Sequence, residues 1–310
     1  MRVLHVTHND RWFPFHFEFM KKQLGLEGET FFRSISGMDA TTADAIWHVY
    51  SDYFNSFDAV FVSHCASWSR VFLQNGWKKP LYVWLFFRFD HDVPDREVYY
   101  KLIKEAKSRP NVKFIAATEQ DKLYANSVLG DFPVEVVPPF ACTNTATKRK
   151  ISCEGMFYLV AKHNESLFSS KLEALKIPIY KHDWHSFAPD LRGVKGILHM
   201  PYVCATASLY ENWALENIYF LPTESFLRTL WTAPNYFWDS HGERGDFSQT
   251  EWYREENKPL FIYYSSFEEL KQMSDDPNLN SLFANRKRNL RDANQQRLEE
   301  TQKKWGEIFS

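Results

Sequence analysis

Short apolar runs alternate with segments of helical periodicity through the first half of this chain. Six of the runs have the length and the β-branched or aromatic content of buried strands: residues 3–7, 30–35, 59–63, 81–87, 112–117 and 134–137. Five segments between them repeat apolar residues every three or four positions, as amphipathic helices do: residues 15–24, 42–54, 67–74, 96–108 and 119–129. This alternation predicts right-handed βαβ units in an open, doubly wound parallel sheet.

The alternation stops after Pro138-Pro139 and resumes near residue 156. Residues 143–150 in between are polar and basic and lack apolar periodicity, which is typical of a linker between domains. A second series of strands is predicted at residues 156–161, 177–181, 196–200, 218–221 and 260–264. The segment Ser265-Ser-Phe-Glu268-Glu269 has the Ser-x-x-Glu spacing that starts a helix, and a further polar helix begins at about residue 285.

The two series predict an α/β protein with two Rossmann-like, doubly wound domains and a cleft between them. The first domain is expected to span residues 1–142 and the second 143–284, with the helix 285–310 packing back on the first. The length of 310 residues allows two cores, because single cores stop growing at roughly 250–300 residues. Ligands of such sheets bind outside the carboxyl ends of the strands.

Composition and charge narrow the class of protein. The chain is 44% hydrophobic and 17% aromatic with only 11 glycines, which excludes a disordered or fibrous protein. The formal net charge of −2 provides no basic excess for binding a phosphate backbone, so nucleic acid is not an expected partner. An anionic ligand would have to be held by a few placed cations.

Cysteine usage and the apolar runs indicate a cytoplasmic protein. The four cysteines, at positions 65, 142, 153 and 204, form no Cys-x-x-Cys pair, so we expect reduced and mostly buried thiols. The first eight residues read as a strand with histidines and charges, not as the apolar core of a signal peptide. The longest apolar run, residues 81–87, is far shorter than the roughly 20 residues of a transmembrane helix.

Two large enzyme classes are excluded by the segment that follows the first strand. His8-Asn9-Asp10 stands where a dinucleotide-binding domain would have Gly-x-Gly-x-x-Gly, and no Walker loop occurs in the chain. Dehydrogenases and P-loop enzymes are therefore not expected.

The most informative segment runs from Leu198 to Glu224, where a predicted strand leads through a loop into a helix and then another strand. Ser208 and Glu211 fall near the start of that helix. The unpaired N–H groups of a helix start can bind phosphate oxygens, and a neighbouring carboxylate can accept hydrogen bonds from the two hydroxyls of a ribose. This combination suits a nucleotide diphosphate.

The same segment resembles the donor-binding signature of the retaining GT-B glycosyltransferases of family 4, in particular the compact enzymes encoded by chloroviruses. That signature contains Glu-x7-Glu, and Glu211 matches the second glutamate, which holds the ribose in the family. Val203 stands where the first glutamate, which addresses the donor sugar, would be. In an alternative register Glu211 is the first glutamate and Glu216 a displaced second. The resemblance also places Ser208, Tyr210 and Asn212 at the donor.

Two cations complete the resemblance in the second half. The strand 156–161 followed by Lys162, with Lys171 beyond, is similar to the family's strand ending in Gly-Arg and its following lysine. In the family these cations grip the donor pyrophosphate, whose charge grows as the glycosidic bond breaks. Trp184 follows the next strand, where family members hold the nucleotide base.

Histidines and an aspartate follow the strands of the first half. Residues 57–64 resemble the family's strand that ends in a histidine at the cleft floor, here His64, and Asp90 follows the next strand. The resemblance implies that these two residues contact the sugar or the acceptor and assist the transfer together with Lys162. His8, at the end of the first strand, is also expected at the donor.

The resemblance implies a hexosyltransferase that moves a sugar from a nucleotide-sugar donor to a glycan or protein-linked saccharide with retention of configuration. GDP-mannose is the favoured donor and UDP-glucose the next. No metal and no cofactor are expected, because the nucleotide sugar is a substrate; a homodimer is left open. Two alternatives remain. Asp90 and Asp92 form an Asp-x-Asp, the metal-binding signature of GT-A transferases, and a non-catalytic sugar- or nucleotide-binding protein would also fit Val203.

Overall fold

The computed structural model describes residues 1–8, 12–35, 37–86, 88–141, 155–160, 165–181, 191, 194–230 and 247–310. The chain divides into two compact units. The first comprises the described residues up to 141 together with 299–310, and the second comprises the described residues from 155 to 298. The predicted linker, residues 143–150, lies outside the described residues.

The first unit is built on a six-stranded sheet in which every pair of neighbours is parallel. Its strands are β1 (Arg2–Thr7), β2 (Glu27–Phe32), β3 (Ala59–Ser63), β4 (Leu81–Leu85), β5 (Val112–Ala116) and β6 (Glu135–Val136). They lie in the order β2-β1-β3-β4-β5-β6. The doubly wound parallel sheet predicted for this half of the chain is therefore confirmed.

Five helices connect these strands: α1 (Trp12–Leu24), α2 (Ala40–Asn55), α3 (Arg70–Leu73), α4 (Arg96–Ala106) and α5 (Glu119–Leu129). Side-chain caps define two of the starts. The Asp39 carboxylate accepts from the N–H of Thr42, and the Thr118 hydroxyl accepts from the N–H of Asp121, which satisfies N–H groups that a helix leaves unpaired. The predicted helix 67–74 is instead a 3₁₀ turn, Ala66–Ser69, followed by the single turn of α3.

Strand β2 begins three residues before the predicted 30–35. It is an edge strand whose pattern is mostly polar and partly exposed, so apolar content did not mark its start. Gly28 also allows the pairing with β1, because a Cβ at this position would lie 2.0 Å from the carbonyl oxygen of Val3.

The second unit contains a five-stranded sheet, again with every neighbouring pair parallel. Its strands are β7 (Phe157–Val160), β8 (Ile179–Lys181), β9 (Gly196–His199), β10 (Tyr219–Pro222) and β11 (Ile262–Tyr264), in the order β11-β10-β9-β7-β8. The shorter helices are α6 (Glu165–Ala174), α7 (Ala207–Ala214), α8 (Glu224–Leu230) and α9 (Phe267–Asp275). Read in the opposite direction, this order is β8-β7-β9-β10-β11, which corresponds to the order β2-β1-β3-β4-β5 in the first unit.

The last helix, α10 (Leu279–Phe309), has 31 residues and starts before the predicted residue 285. Its residues up to 298 belong to the second unit and the rest to the first. In the first unit Trp305 is buried, with its ring 5.4 Å from Phe61 and 5.5 Å from Trp84. Throughout the described parts of the chain, we find no helix with the length and apolar character to cross a bilayer.

Candidate functional site

Each sheet has one point at which the chain reverses its direction of winding. From β1 the chain first adds β2 on one side and then β3 on the other, and from β7 it adds β8 and then β9 in the same way. The carboxyl ends of the two central strands are aligned in both units, since Thr7 pairs with Ser63 and Val160 with His199. Open α/β sheets bind ligands at such a switch point, so the residues that follow these four strands define the candidate sites.

Two histidines occupy the switch point of the first unit. His8 follows β1 and His64 follows β3, and their rings stack with centroids 5.8 Å apart and planes 9° from parallel. His8 Nδ1 lies 3.1 Å from the carbonyl oxygen of Ile35. His64 has a left-handed backbone, with φ of 68°, which is uncommon for a residue with a side chain. His8 was expected at the donor and His64 at the sugar or the acceptor; their stacking was not predicted from the sequence, and both roles stay predictions.

The surroundings of His64 keep its ring uncharged. Burial lowers the pKa of His64 to about 3, with smaller contributions from His8 and His91. The Phe13 ring approaches edge-on at 4.9 Å. Cys65 Sγ lies 3.2 Å from His64 Nδ1, and burial raises the pKa of this thiol to about 12. The contact between Cys65 and His64 is therefore a hydrogen bond between neutral groups.

The loop after β4 brings a third histidine close to this pair. Burial lowers the pKa of His91, and the Asp92 carboxylate opposes that shift. The Asp92 carboxylate accepts a 2.9 Å hydrogen bond from the N–H of Gly37, which ties this loop to the loop after β2. At the far end of the loop, Asp95 forms a bidentate ion pair with the buried Arg70, with both contacts at 2.6 Å. His91 is thus held between anchored neighbours.

Asp90 does not have the geometry expected of a substrate-binding carboxylate. It is fully buried, and its two oxygens accept from Arg88 Nε at 2.5 Å, Tyr100 Oη at 2.5 Å and Tyr124 Oη at 3.0 Å. Burial and the bond to Asp90 raise the pKa of Tyr100 to about 12, so its hydroxyl remains a donor. We therefore correct the sequence-based assignment: Asp90 ties the loop after β4 to helices α4 and α5.

The two aspartates of the Asp-x-Asp alternative are both hydrogen-bonded within the first unit. The oxygens of Asp90 are bonded to side chains of the chain itself, and Asp92 accepts from a backbone N–H. Across the residues that the structure describes, no group of three or more histidine, cysteine, aspartate or glutamate side chains is arranged to hold a metal ion.

The switch point of the second unit leads into α7. Strand β9 ends at His199, the loop 200–206 follows, and the Thr206 hydroxyl caps α7 by accepting from the N–H of Leu209 at 3.2 Å. Ser208 Oγ lies 3.0 Å from Thr206 Oγ1. The predicted helix start at the carboxyl edge of a strand is confirmed, with Ser208 in its first turn.

Glu211 lies in the second turn of α7 and is 3% exposed. Its neighbour Asn212 is engaged within the unit: its amide nitrogen donates to the carbonyl of Ser208 at 2.8 Å, and its oxygen accepts from Asn217 at 2.9 Å. Tyr210 is fully buried. Asn212 is thus bonded at both ends of its amide within the unit, and the donor contacts expected for Asn212, Tyr210 and Glu211 stay predictions.

Val203 and Glu216 are the positions that distinguish the two registers of the glutamate motif, and both have defined contacts. Val203 is buried, and its carbonyl accepts from the indole of Trp252 at 2.7 Å. Glu216 follows the end of α7 and forms a bidentate ion pair with Arg291, at 2.9 and 3.0 Å. Because Glu216 lies beyond the opposite end of the helix from Ser208, the register that makes it a ligand is not supported.

Of the two lysines predicted to bind the pyrophosphate, Lys171 lies within the described residues and Lys162 does not. Lys171 lies in the last turn of α6 and is exposed. A helix that follows a parallel strand runs back toward the amino ends of the sheet, at 1.5 Å per residue, and the role of Lys171 at the pyrophosphate stays a prediction. Lys162 and Trp184 lie outside the described residues, and their roles stay predictions.

A charged cluster beside α7 was not anticipated from the sequence. Glu251 is fully buried and accepts from Arg254 at 3.0 Å, Arg297 at 3.2 Å and Asn257 at 3.0 Å. The guanidinium of Arg297 also lies 4.7 Å from the ring centroid of Trp213, so α10 holds α7 through a cation–π contact. Glu251 and Arg297 are 46 residues apart, and no local motif marks them.

Comparisons with known proteins bear on the fold. No protein-family model and no curated protein matches the chain. The chain is similar to the crystal structure of a glycosyltransferase from Rickettsia africae ESF-5, with a TM-score of 0.60 and 13% sequence identity over 99% of this chain and 97% of that one. At this identity the likeness establishes the fold, and it covers both units. The chain therefore has the two-domain, Rossmann-like α/β fold that its sequence predicts.

Proposed function

We propose that this protein is a glycosyltransferase whose second unit binds a nucleotide-sugar donor and whose first unit binds the acceptor. The observation that carries the proposal is the position of α7: its capped start and Glu211 follow the central strand β9 at the switch point of the second unit. A helix start favours phosphate oxygens, and the Glu211 carboxylate can accept from ribose hydroxyls. The likeness to a glycosyltransferase fold along both units supports the same reading.

Within this proposal, the transfer retains the anomeric configuration. The acceptor oxygen forms its bond to the anomeric carbon on the same face from which the leaving phosphate oxygen departs, and that phosphate oxygen takes the proton of the acceptor hydroxyl. No protein nucleophile is then needed. Lys162 would stabilise the charge that grows on the diphosphate, the kind of electrostatic contribution that typically changes rates about 10²–10³-fold. GDP-mannose is the first donor to test and UDP-glucose the second, and the acceptor is a glycan or a protein-linked saccharide.

Replacing Glu211 with glutamine should weaken donor binding at least tenfold. The substitution keeps the shape of the side chain but removes the charge, and hydrogen bonds to charged groups contribute about 1.5–3 kcal/mol. Calorimetric titration with GDP-mannose, UDP-glucose, ADP-glucose and a CMP-sugar measures the effect. Glu216→Gln is the matched control, because Glu216 pairs with Arg291 beyond the other end of α7. Equal affinities in the wild type and Glu211→Gln would remove Glu211 from the donor site.

Turnover of the donor distinguishes a transferase from a non-catalytic binding protein. A transferase should release nucleoside diphosphate slowly from its donor even without acceptor, and this release should be lost in Glu211→Ala. Donor binding should persist in excess chelator, because the oxygens of Asp90 are already bonded to Arg88, Tyr100 and Tyr124. If the best-bound donor is released unchanged over long incubation with every saccharide offered, the transferase proposal fails.

A further inference from the structure

The loop 200–206 connects the central strand β9 with the capped start of α7, and most of its residues are buried. It is neither helix nor strand, so its buried carbonyl groups need hydrogen-bond partners from elsewhere in the unit. Two consecutive carbonyls find them in one segment: Trp252 Nε1 donates to Val203 at 2.7 Å, and the N–H of Glu251 donates to Cys204 at 2.9 Å. Because Trp252 lies 49 residues beyond Val203, a distant part of the chain sets the shape of this loop.

Trp252 is itself fixed on several sides. It is fully buried, and its ring lies 4.3 Å from that of His199 at the end of β9 and 5.6 Å from that of Tyr219 in β10. Its backbone carbonyl accepts from the hydroxyl of Tyr263 at 2.6 Å. An indole has a single N–H, and it points in one direction from the ring. The packing of Trp252 therefore decides where the carbonyl of Val203 lies.

Glu251 connects the same segment to the helix. Its buried carboxylate accepts from Arg297 at 3.2 Å. The guanidinium of Arg297 in turn lies 4.7 Å from the ring centroid of Trp213 and 5.4 Å from that of Tyr210. These two rings are three residues apart on α7 and so belong to one face of the helix. The adjacent residues Glu251 and Trp252 thus fix both the loop before α7 and one face of α7.

The groups proposed to bind the donor belong to the helix that these contacts hold. Ser208 lies in the first turn of α7 and Glu211 in the second. The N–H groups of a helix start bind an anion along the direction in which they point, so the position of this turn determines how well a diphosphate fits. If the carbonyl of Val203 lost its donor, the loop would relax toward another partner and the helix start would move with it. A misplacement of about 1 Å can cost a site about 10²-fold in rate.

We propose that Trp252 and Arg297 are positioning residues of the donor site. Trp252 acts through the loop 200–206 and Arg297 acts through the ring face of α7. Together they set where Ser208 and Glu211 meet the diphosphate and the ribose, without touching the donor themselves. The inference rests on the proposed function and adds to it two residues that lie far from α7 in the sequence.

Trp252→Phe should raise the Kd of the best-bound nucleotide sugar at least about tenfold, because the carbonyl of Val203 loses its hydrogen bond. Phenylalanine keeps an aromatic ring beside His199. Trp305→Phe is the matched control: it makes the same change at a buried indole whose N–H has no hydrogen-bond partner among the residues that the structure describes. Calorimetric titration and denaturant unfolding are carried out on the same samples. Both variants should lose stability through poorer packing, and only Trp252→Phe should lose affinity.

Arg297→Lys tests the second contact. Lysine keeps a positive charge for the buried Glu251 but lacks the planar group that lies over Trp213, so the Kd of the same donor should rise about threefold or more. This variant also carries the test if Trp252→Phe does not fold.

Amide hydrogen exchange reports the position of the helix start without any donor. The N–H of Leu209 donates to the hydroxyl of Thr206 at 3.2 Å and should exchange at least about tenfold faster in Trp252→Phe than in the wild type, since opening of the first turn becomes easier. The amides of strand β9 should exchange as in the wild type.

The outcomes separate this inference from the proposed function. Wild-type donor affinity in both Trp252→Phe and Arg297→Lys would overturn the inference, whatever their stability. Faster exchange at Leu209 without a loss of affinity would also overturn it, because the two residues would then only support the helix. If Glu211→Gln loses the donor while these variants keep it, the proposed function stands and the positioning role is removed. If the wild type binds no nucleotide sugar, the proposed function fails and this inference fails with it.

Discussion

Lowering the pH from 7 to 5 should destabilise the first unit by about 6 kcal/mol, because three of its histidines are folded in their neutral form. Burial lowers the pKa of His5 and of His64 to about 3, and that of His16 well below its ordinary value. His5 bonds Ser63 at 2.7 Å and Thr30 at 3.0 Å. His16 lies among aromatic rings, 4.2 Å from Phe140 and 4.9 Å from Trp84.

Stability falls at low pH because the unfolded chain binds protons at these histidines and the folded unit does not. In the unfolded chain a histidine takes up a proton near pH 6.5, whereas in the folded unit His5 and His64 remain neutral until the pH approaches about 3, and burial holds the pKa of His16 well below its ordinary value. Their contribution to stability is therefore fully present above pH 6.5 and is lost as the pH falls from there toward 3. Each histidine accounts for about 2 kcal/mol of the change between pH 7 and 5.

His16→Phe should remove about one third of this pH dependence. Within the described parts of the chain, His16 Nε2 is buried without a hydrogen-bond partner, and leaving such a group unsatisfied costs about 1–3 kcal/mol. The variant should therefore also be more stable at pH 7. Guanidinium unfolding at pH 7.5, 6.5 and 5.5 measures both effects, with the exposed His48→Phe as control. A parallel fall in the stability of wild type and His16→Phe would show that His16 is not protonated on unfolding.

Asp90→Ala should reduce the free energy of unfolding by about 3–5 kcal/mol, the usual cost of breaking a buried ion pair by removing one partner. Arg88 would keep its charge in a buried position, and the hydroxyls of Tyr100 and Tyr124 would lose their acceptor. A carboxylate that acted only on substrate would instead lower activity and leave stability almost unchanged. This substitution therefore separates the structural role from the catalytic one expected from the sequence.

Denaturant unfolding of Asp90→Ala is best compared with Asp52→Ala, which changes an exposed aspartate of α2 and should alter stability by no more than about 0.5 kcal/mol. Asp90→Asn should fall between the two, because its amide can still accept from one tyrosine. If Asp90→Ala unfolds at the same denaturant concentration as Asp52→Ala, the carboxylate does not hold the loop after β4.

The fold was largely predictable because its central strands are short, continuous apolar runs. β3 and α5 match their predicted bounds to the residue, since each is bounded by clear local signals such as the capping Thr118. Ser266, which caps α9 with Glu269, confirms the Ser-x-x-Glu reading. Prediction was weakest at the edge strand β2, where exposure to solvent permits polar residues and removes the apolar signal.

The candidate site was predictable only where position in a strand determines it. His8 and His64 were chosen as candidates because each follows a predicted strand, and the pairing of Thr7 with Ser63 places the ends of these two strands side by side. Asp90 was misjudged because its partners Tyr100 and Tyr124 come from two different helices, and nothing in the local sequence brings them together. For Lys171 the structure gives an exposed position in the last turn of α6, and its contact with the pyrophosphate stays a prediction.

The division of α10 between the two units has a consequence for synthesis on the ribosome. The last residue of the second unit is 298. Trp305, which packs against Phe61 and Trp84 in the core of the first unit, is therefore synthesised after the whole of the second unit. The half that is translated first is thus completed last. Nascent chains should carry an unfinished, aromatic-rich N-terminal core until this helix emerges, a period in which chaperones have most to bind.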